Sequence, residues 1–138
     1  MNFYRPVLKL ATEYEKRTDW LFKLAWEYIP IIKITGREGK KQAAYRAVSD
    51  AIELAPDDNV AVLFGSYIHE LYHAYQRRKL TLPVYLLALG LARPLLEKRA
   101  KEEELKAVEW AGEYQMNQWR KDAEERLDKA SRVELVNT

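Results

Sequence analysis

The sequence predicts an α+β fold, mostly helical, with a small mixed or antiparallel sheet ahead of one buried helix. Three observations predict it. The run IPIIKIT, from Ile29 to Thr35, is rich in β-branched residues, which suit a pleated surface. The segment AIELA, from Ala51 to Ala55, alternates Ile52 and Leu54 with Glu53 and alanine, the period of a strand. The run VAVLFGSYIHELYHAYQ, from Val60 to Gln76, is free of Pro and largely apolar through Ile68, which reads as a buried helix. A chain of 138 residues fits one domain over residues 1–138, with its core over about 29–120.

Composition narrows the classes. The chain is 48% hydrophobic and 32% charged, an ordinary globular balance, and its net charge of +2 implies no particular partner. Basic and acidic residues are interspersed along most of it, so nucleic acid is not indicated. Cys is absent, which excludes disulfides, thiolate metal sites and a Cys nucleophile. The first twenty residues lack the uncharged core and cleavage site of a signal peptide. The longest charge-free apolar run, Leu80 to Ala92, is shorter than the roughly 20 residues a membrane span needs. A cytoplasmic location is the expectation.

In chain order, Pro6 opens a first helix reaching about Tyr28, with Leu10, Tyr14, Leu21, Leu24 and Tyr28 on its apolar face. The Ile29–Thr35 strand follows, entered through Pro30. Gly36 to Gly39 has turn composition, and hairpin logic favours a strand within Lys40 to Val48. The strand over Ala51 to Ala55 is expected to form the sheet edge along a cleft, where an extended peptide can add as a further strand. Pro56-Asp57-Asp58 ends it, and Asp57, Asp58 or Asn59 caps the Val60 helix. Arg77-Arg78-Lys79 complements the dipole at that helix's C-terminus. Leu80 to Leu96 reads as a second apolar helix, with Pro83 in its first turn and Pro94 late, where it should kink or end it; Gly90 offers close packing on the Val60 helix. Glu97 to about Val133 is one long helix whose inward face is traced by Leu105, Val108, Ala111 or Gly112, Gln115 or Met116, and Trp119, with a frayed tail beyond.

The chemistry concentrates in His69-Glu70-Leu71-Tyr72-His73, an HExxH motif holding the chain's two histidines. Residues four apart share a helix face, so both imidazoles can bind one ion, with Glu70 beside the open coordination position. Two imidazoles, a carboxylate and a water suit zinc, which lowers the pKa of that water to about 7. Such a site hydrolyses amide bonds, and Glu70 is the expected general base. With no other His or Cys, the third ligand must be a carboxylate. Glu104, Glu113 and Glu103 are the candidates, because each can face the apolar side of the last helix. Tyr67, Tyr72, Tyr114 and Arg120 stand open as donors to the transition state.

HELYHAYQ, followed about thirty residues later by EELKAVEW, resembles the small zinc-metallopeptidase-like domains of phage, prophage and secreted-toxin proteins. The resemblance covers roughly Ile52 to Trp119 and implies a minimal gluzincin-type zincin. In those families a Glu-x-x-Ala-Val motif on the next major helix supplies the third ligand, and Glu104 to Val108 matches it. The implied site is zinc on His69, His73 and Glu104, with Glu70 as base and a peptide or protein as substrate. A non-catalytic binding or regulatory protein on the same scaffold is the alternative. A di-iron helical bundle, which shares the Glu70-x-x-His73 half-motif, would need a second Glu-x-x-His and a third histidine that the chain lacks.

Overall fold

The structure, a computed structural model, describes residues 4–35 and 42–137, with side chains through Arg132. It is α+β: a three-stranded mixed sheet precedes the motif helix, and helices make up most of the rest. The turn expected at Gly36–Gly39 and Lys40–Lys41 lie outside the described residues.

The expected first helix is broken into pieces: α1 (Arg5–Tyr14), a 3-10 turn (Glu15–Arg17), α2 (Asp19–Leu24) and a second 3-10 turn (Trp26–Tyr28). Thr18 is extended, and Ala25 sits at φ 54°, a left-handed conformation that stops α2. The breaks fold the segment round the core, so Val7, Leu10, Tyr14, Leu21, Leu24 and Trp26 are all buried. One straight helix could not turn all six toward a common centre.

The strands are β1 (Ile31–Lys33), β2 (Ala43–Arg46) and β3 (Ala51–Leu54), in the order β1-β3-β2. β1 runs parallel to β3 and β2 antiparallel to it. Pro30, at the entry, lacks an N–H but accepts at its carbonyl from Ile52 N at 2.9 Å. The expectation that Ala51–Ala55 forms the edge is overturned: β3 is the central strand, with Ala51, Ile52 and Leu54 buried. Its apolar side chains are covered by helices, and β1 and β2 take the two edges.

Helix α3 (Val60–Leu80) is the axis of the molecule. Asn59 caps it, its side chain accepting from Val62 N at 3.2 Å. The helix runs one turn beyond Gln76, so Arg77, Arg78 and Lys79 lie inside its last turn, at the negative end of the dipole. Phe64, Tyr67, Ile68, Leu71 and Ala74 pack into the core with α1, α2 and the sheet. The Leu80–Leu96 segment is two elements: α4 (Leu82–Leu91), then α5 (Arg93–Asn137). Pro94 therefore opens α5, where a missing N–H costs nothing, instead of kinking α4. Helix α5 continues through the expected tail to Asn137. Its buried face is Ala100, Ala107 and Ala111, small residues that admit a close neighbour. Leu105, Met116 and Trp119, expected to point inward, are exposed.

The close approach lies at Gly65, not Gly90, beside which an added Cβ would meet nothing. A Cβ at Gly65 would clash with Val108 Cγ2 and stand 3.4 Å from the Glu104 backbone oxygen. Gly65→Ala is expected to push α5 outward and cost roughly 1–3 kcal/mol, the range for overpacking a filled contact. Urea denaturation checks this, and an unchanged midpoint would mean that α5 yields freely.

Candidate metal centre

The face of α3 turned toward α5 carries Gly65, His69, His73 and Gln76, spaced by three or four residues. The His69 and His73 rings lie one turn apart, with centroids 5.0 Å from each other. His69, Glu70 and His73 each offer a ligand atom within 4.8 Å of the others, a group able to hold a metal ion. Glu70 and His73 are buried.

Two carboxylates from α5 complete the surroundings. Glu97 spans both rings: its Oε2 is 3.1 Å from His69 Nε2 and its Oε1 is 3.1 Å from His73 Nε2. Glu104 Oε1 stands 2.8 Å from the other ring nitrogen of His69, Nδ1. Lys101 Nζ is 3.6 Å from the second Glu104 oxygen. Of the remaining candidates, Glu103 accepts from Trp20 Nε1 at 3.2 Å, and Glu113 is exposed. Glu97 escaped the sequence reading, which treated it as the start of a charged helix. The signal was its spacing: Glu97 precedes Glu104 by seven residues, two turns along the face that also carries Ala100, Ala107 and Ala111. The small residues marked the inward side, and the large Leu105 misled.

Proton placement follows from the hydrogen bonds. The Gln76 amide nitrogen donates to Leu96 O at 3.0 Å. Its oxygen therefore faces His73 Nδ1, at 2.8 Å, and that nitrogen must carry the ring proton. Burial holds the His73 pKa below the usual imidazole value, although Gln76 and Glu97 pull it upward, so the ring favours its neutral form. His73 Nε2 is then a buried lone pair. It makes no hydrogen bond, and what it meets at 3.1 Å is a carboxylate oxygen. An acceptor facing an acceptor away from water is costly unless a cation lies between them. His69 Nδ1 is likewise buried beside Glu104 without hydrogen-bond alignment, close in distance but poor in angle. Three carboxylates thus surround two imidazoles, an arrangement a divalent cation satisfies.

The site opens into a cleft of about 320 Å³, lined by His69, Glu70, Glu97 and Glu104 together with Ser66 and Ala43 at the start of β2. Gln42 O accepts from Ala55 N at 2.8 Å, which fixes the antiparallel phase. Ala44 and Arg46 thereby bond to β3, while Ala43 and Tyr45 turn their N–H and C=O groups outward. Tyr67, Tyr72, Tyr114 and Arg120 do not line this cleft. Tyr67 borders a groove on the Tyr4 and Trp26 side, and Tyr72 packs against Trp20. Tyr85, the lone polar side chain of α4 and missed in the sequence, is near the centre. Its pKa is pushed up to about 12 by burial and then by the charges of Glu70 and Glu97, so it stays a protonated donor.

Comparison with protein-family models, curated proteins and solved structures gives no match to this chain.

Proposed function

We propose that the chain is a zinc-dependent metallopeptidase, with the ion held by His69, His73 and Glu97 and with Glu70 as general base. The observation that carries this is the buried His73 Nε2 lone pair, fixed by Gln76 and facing Glu97. Two imidazoles and a carboxylate are the donor set of catalytic zinc. We infer Glu97 in the ligand role that the resemblance gives to Glu104, because only Glu97 approaches both Nε2 atoms. Glu104, whose Oε1 lies 2.8 Å from His69 Nδ1, is then the outer carboxylate beside that ring, the place such a group takes at many metal-binding histidines. Gln76 holds the corresponding place at His73.

When bound, zinc supplies Lewis acidity, bringing the pKa of a coordinated water to about 7 and polarising a carbonyl. Glu70 accepts the proton of the attacking water and delivers it to the leaving amine nitrogen. An extended peptide can pair with the outward N–H and C=O groups of Ala43 and Tyr45, which set its carbonyl beside the cleft. The peptide adds to β2, not to the Ala51–Ala55 strand.

Metal analysis of untagged protein, coupled to a screen of unstructured peptides, tests the reading. About one zinc per chain and defined cleavage products are expected. Protein that holds zinc yet cleaves nothing in a wide library would make the binding-module alternative the better one.

A further inference from the structure

Helix α4 carries no charged side chain, and Tyr85 is its one buried residue. Val84, Leu86, Leu87 and Leu91 are 48, 45, 62 and 79% exposed, and Leu95 in the first turn of α5 is 67% exposed. A surface helix ordinarily turns polar residues to water. Here Val84, Leu87 and Leu91 share the solvent side with Gly90 and no polar partner. A contiguous apolar patch of this kind marks an interaction surface. The helix is too short to cross a bilayer, and among the described residues no helix is long and apolar enough to do so.

Charge identifies what covers the patch. From Val60 to Leu96 the one carboxylate is Glu70, which is buried. Residues 77–101 hold seven basic side chains and one acidic, whereas the rest of the chain holds 16 basic and 20 acidic. Arg78 is committed to Asp50 at 2.7 Å, and Arg99 faces Glu102 at 3.8 Å. Lys79 before α4, with Arg93 and Lys98 after it, have no ion pair among the described residues and are exposed. An apolar strip with cations at both ends matches an anionic lipid surface, where aliphatic side chains enter the acyl boundary and lysine and arginine meet phosphate. A second copy laid on the same face would bring like charges together.

We propose that α4 docks the protein on an anionic membrane surface through Val84, Leu87, Leu91 and Leu95, with Lys79, Arg93 and Lys98 contacting the headgroups. The inference is independent of the metal reading. The chain has no Cys, so Leu91→Cys, labelled with an environment-sensitive dye, reports insertion cleanly, and Met116→Cys on the exposed part of α5 is its control. With vesicles of phosphatidylcholine and phosphatidylglycerol, the dye at position 91 should shift to the blue and the dye at 116 should not. Cosedimentation of unlabelled protein should show binding that weakens with salt and falls roughly fivefold for each of Arg93→Gln and Lys98→Gln. Leu87→Glu, an exposed change whose fold circular dichroism can verify, should abolish it. Glu97→Gln, which removes the one acidic charge of residues 77–101, should bind vesicles at least as well as the unaltered chain does, which separates this result from any failure of the metal site. The proposal is overturned if the unaltered chain ignores anionic vesicles, or if Leu87→Glu binds undiminished. Self-association that Leu87→Glu removes, without vesicle binding, would instead make the face a contact between copies.

Discussion

Glu97→Gln is expected to weaken zinc binding by more than the roughly 10–100-fold that an outer-sphere partner contributes, and Glu104→Gln to stay within that range. The two residues share one face of α5 but meet different atoms. Glu97 reaches His69 Nε2 and His73 Nε2, each at 3.1 Å, whereas Glu104 reaches His69 Nδ1 alone, at 2.8 Å. One ion cannot use both nitrogens of one ring, so only one of the carboxylates can share the ion with both histidines. Gln retains the shape of Glu but loses the charge that a cation needs. Competition against a chromophoric chelator measures both affinities. A larger loss for Glu104→Gln would return the ligand role to Glu104, as the Glu-x-x-Ala-Val resemblance implies. The metal-free proteins offer a second contrast. Removing the Glu97 charge relieves the acceptor facing His73 Nε2, so Glu97→Gln apoprotein should be at least as stable as the parent.

The part of this site that reads directly from sequence is the part held within one helix. His69, Glu70 and His73 are fixed relative to one another by the helical repeat, so their spacing alone predicts the shared ion. The strands were legible for a similar reason, since β-branched and alternating residues at Ile31–Lys33 and Ala51–Leu54 carry their own pattern. What depends on how elements meet was not legible. Whether Ala51–Leu54 is an edge or a centre depends on where β1 and β2 dock, and nothing local to the strand encodes that. The third carboxylate depends on where α5 begins. With Pro94 in its first turn, Glu97 lies one turn into α5 and faces α3; a helix running unbroken from Leu80 would have given that position a different phase. The inward face of α5 is drawn by alanines against Gly65, so the search for large apolar residues selected Leu105, which points to water. The left-handed Ala25, which ends α2, has no sequence signal of the Gly or Asn kind.

Glu70→Gln should keep both the metal and the fold while peptide cleavage falls about 10²–10⁴-fold, the contribution of a positioned general base. Glu70 leaves α3 about 100° round from His69, which sets it beside the ligand pair instead of within it. It nonetheless stays within 4.8 Å of both imidazoles, on the wall of the cleft. Its position makes the prediction sharp: Glu70 is 6% exposed and lies on the cleft wall beside the imidazole pair. Glutamine matches its volume and still accepts hydrogen bonds through its amide oxygen, so the packing of α3 against α4 and α5 survives. It cannot take a proton and pass it to the leaving nitrogen. The variant should therefore show parental zinc stoichiometry and parental thermal midpoint with lost turnover. Peptides able to lie along Ala43–Arg46 are the fair substrates for the assay. Turnover equal to the parent would remove Glu70 from the chemistry. Loss of zinc along with turnover would mean that Glu70 itself ligates the ion, in place of Glu97.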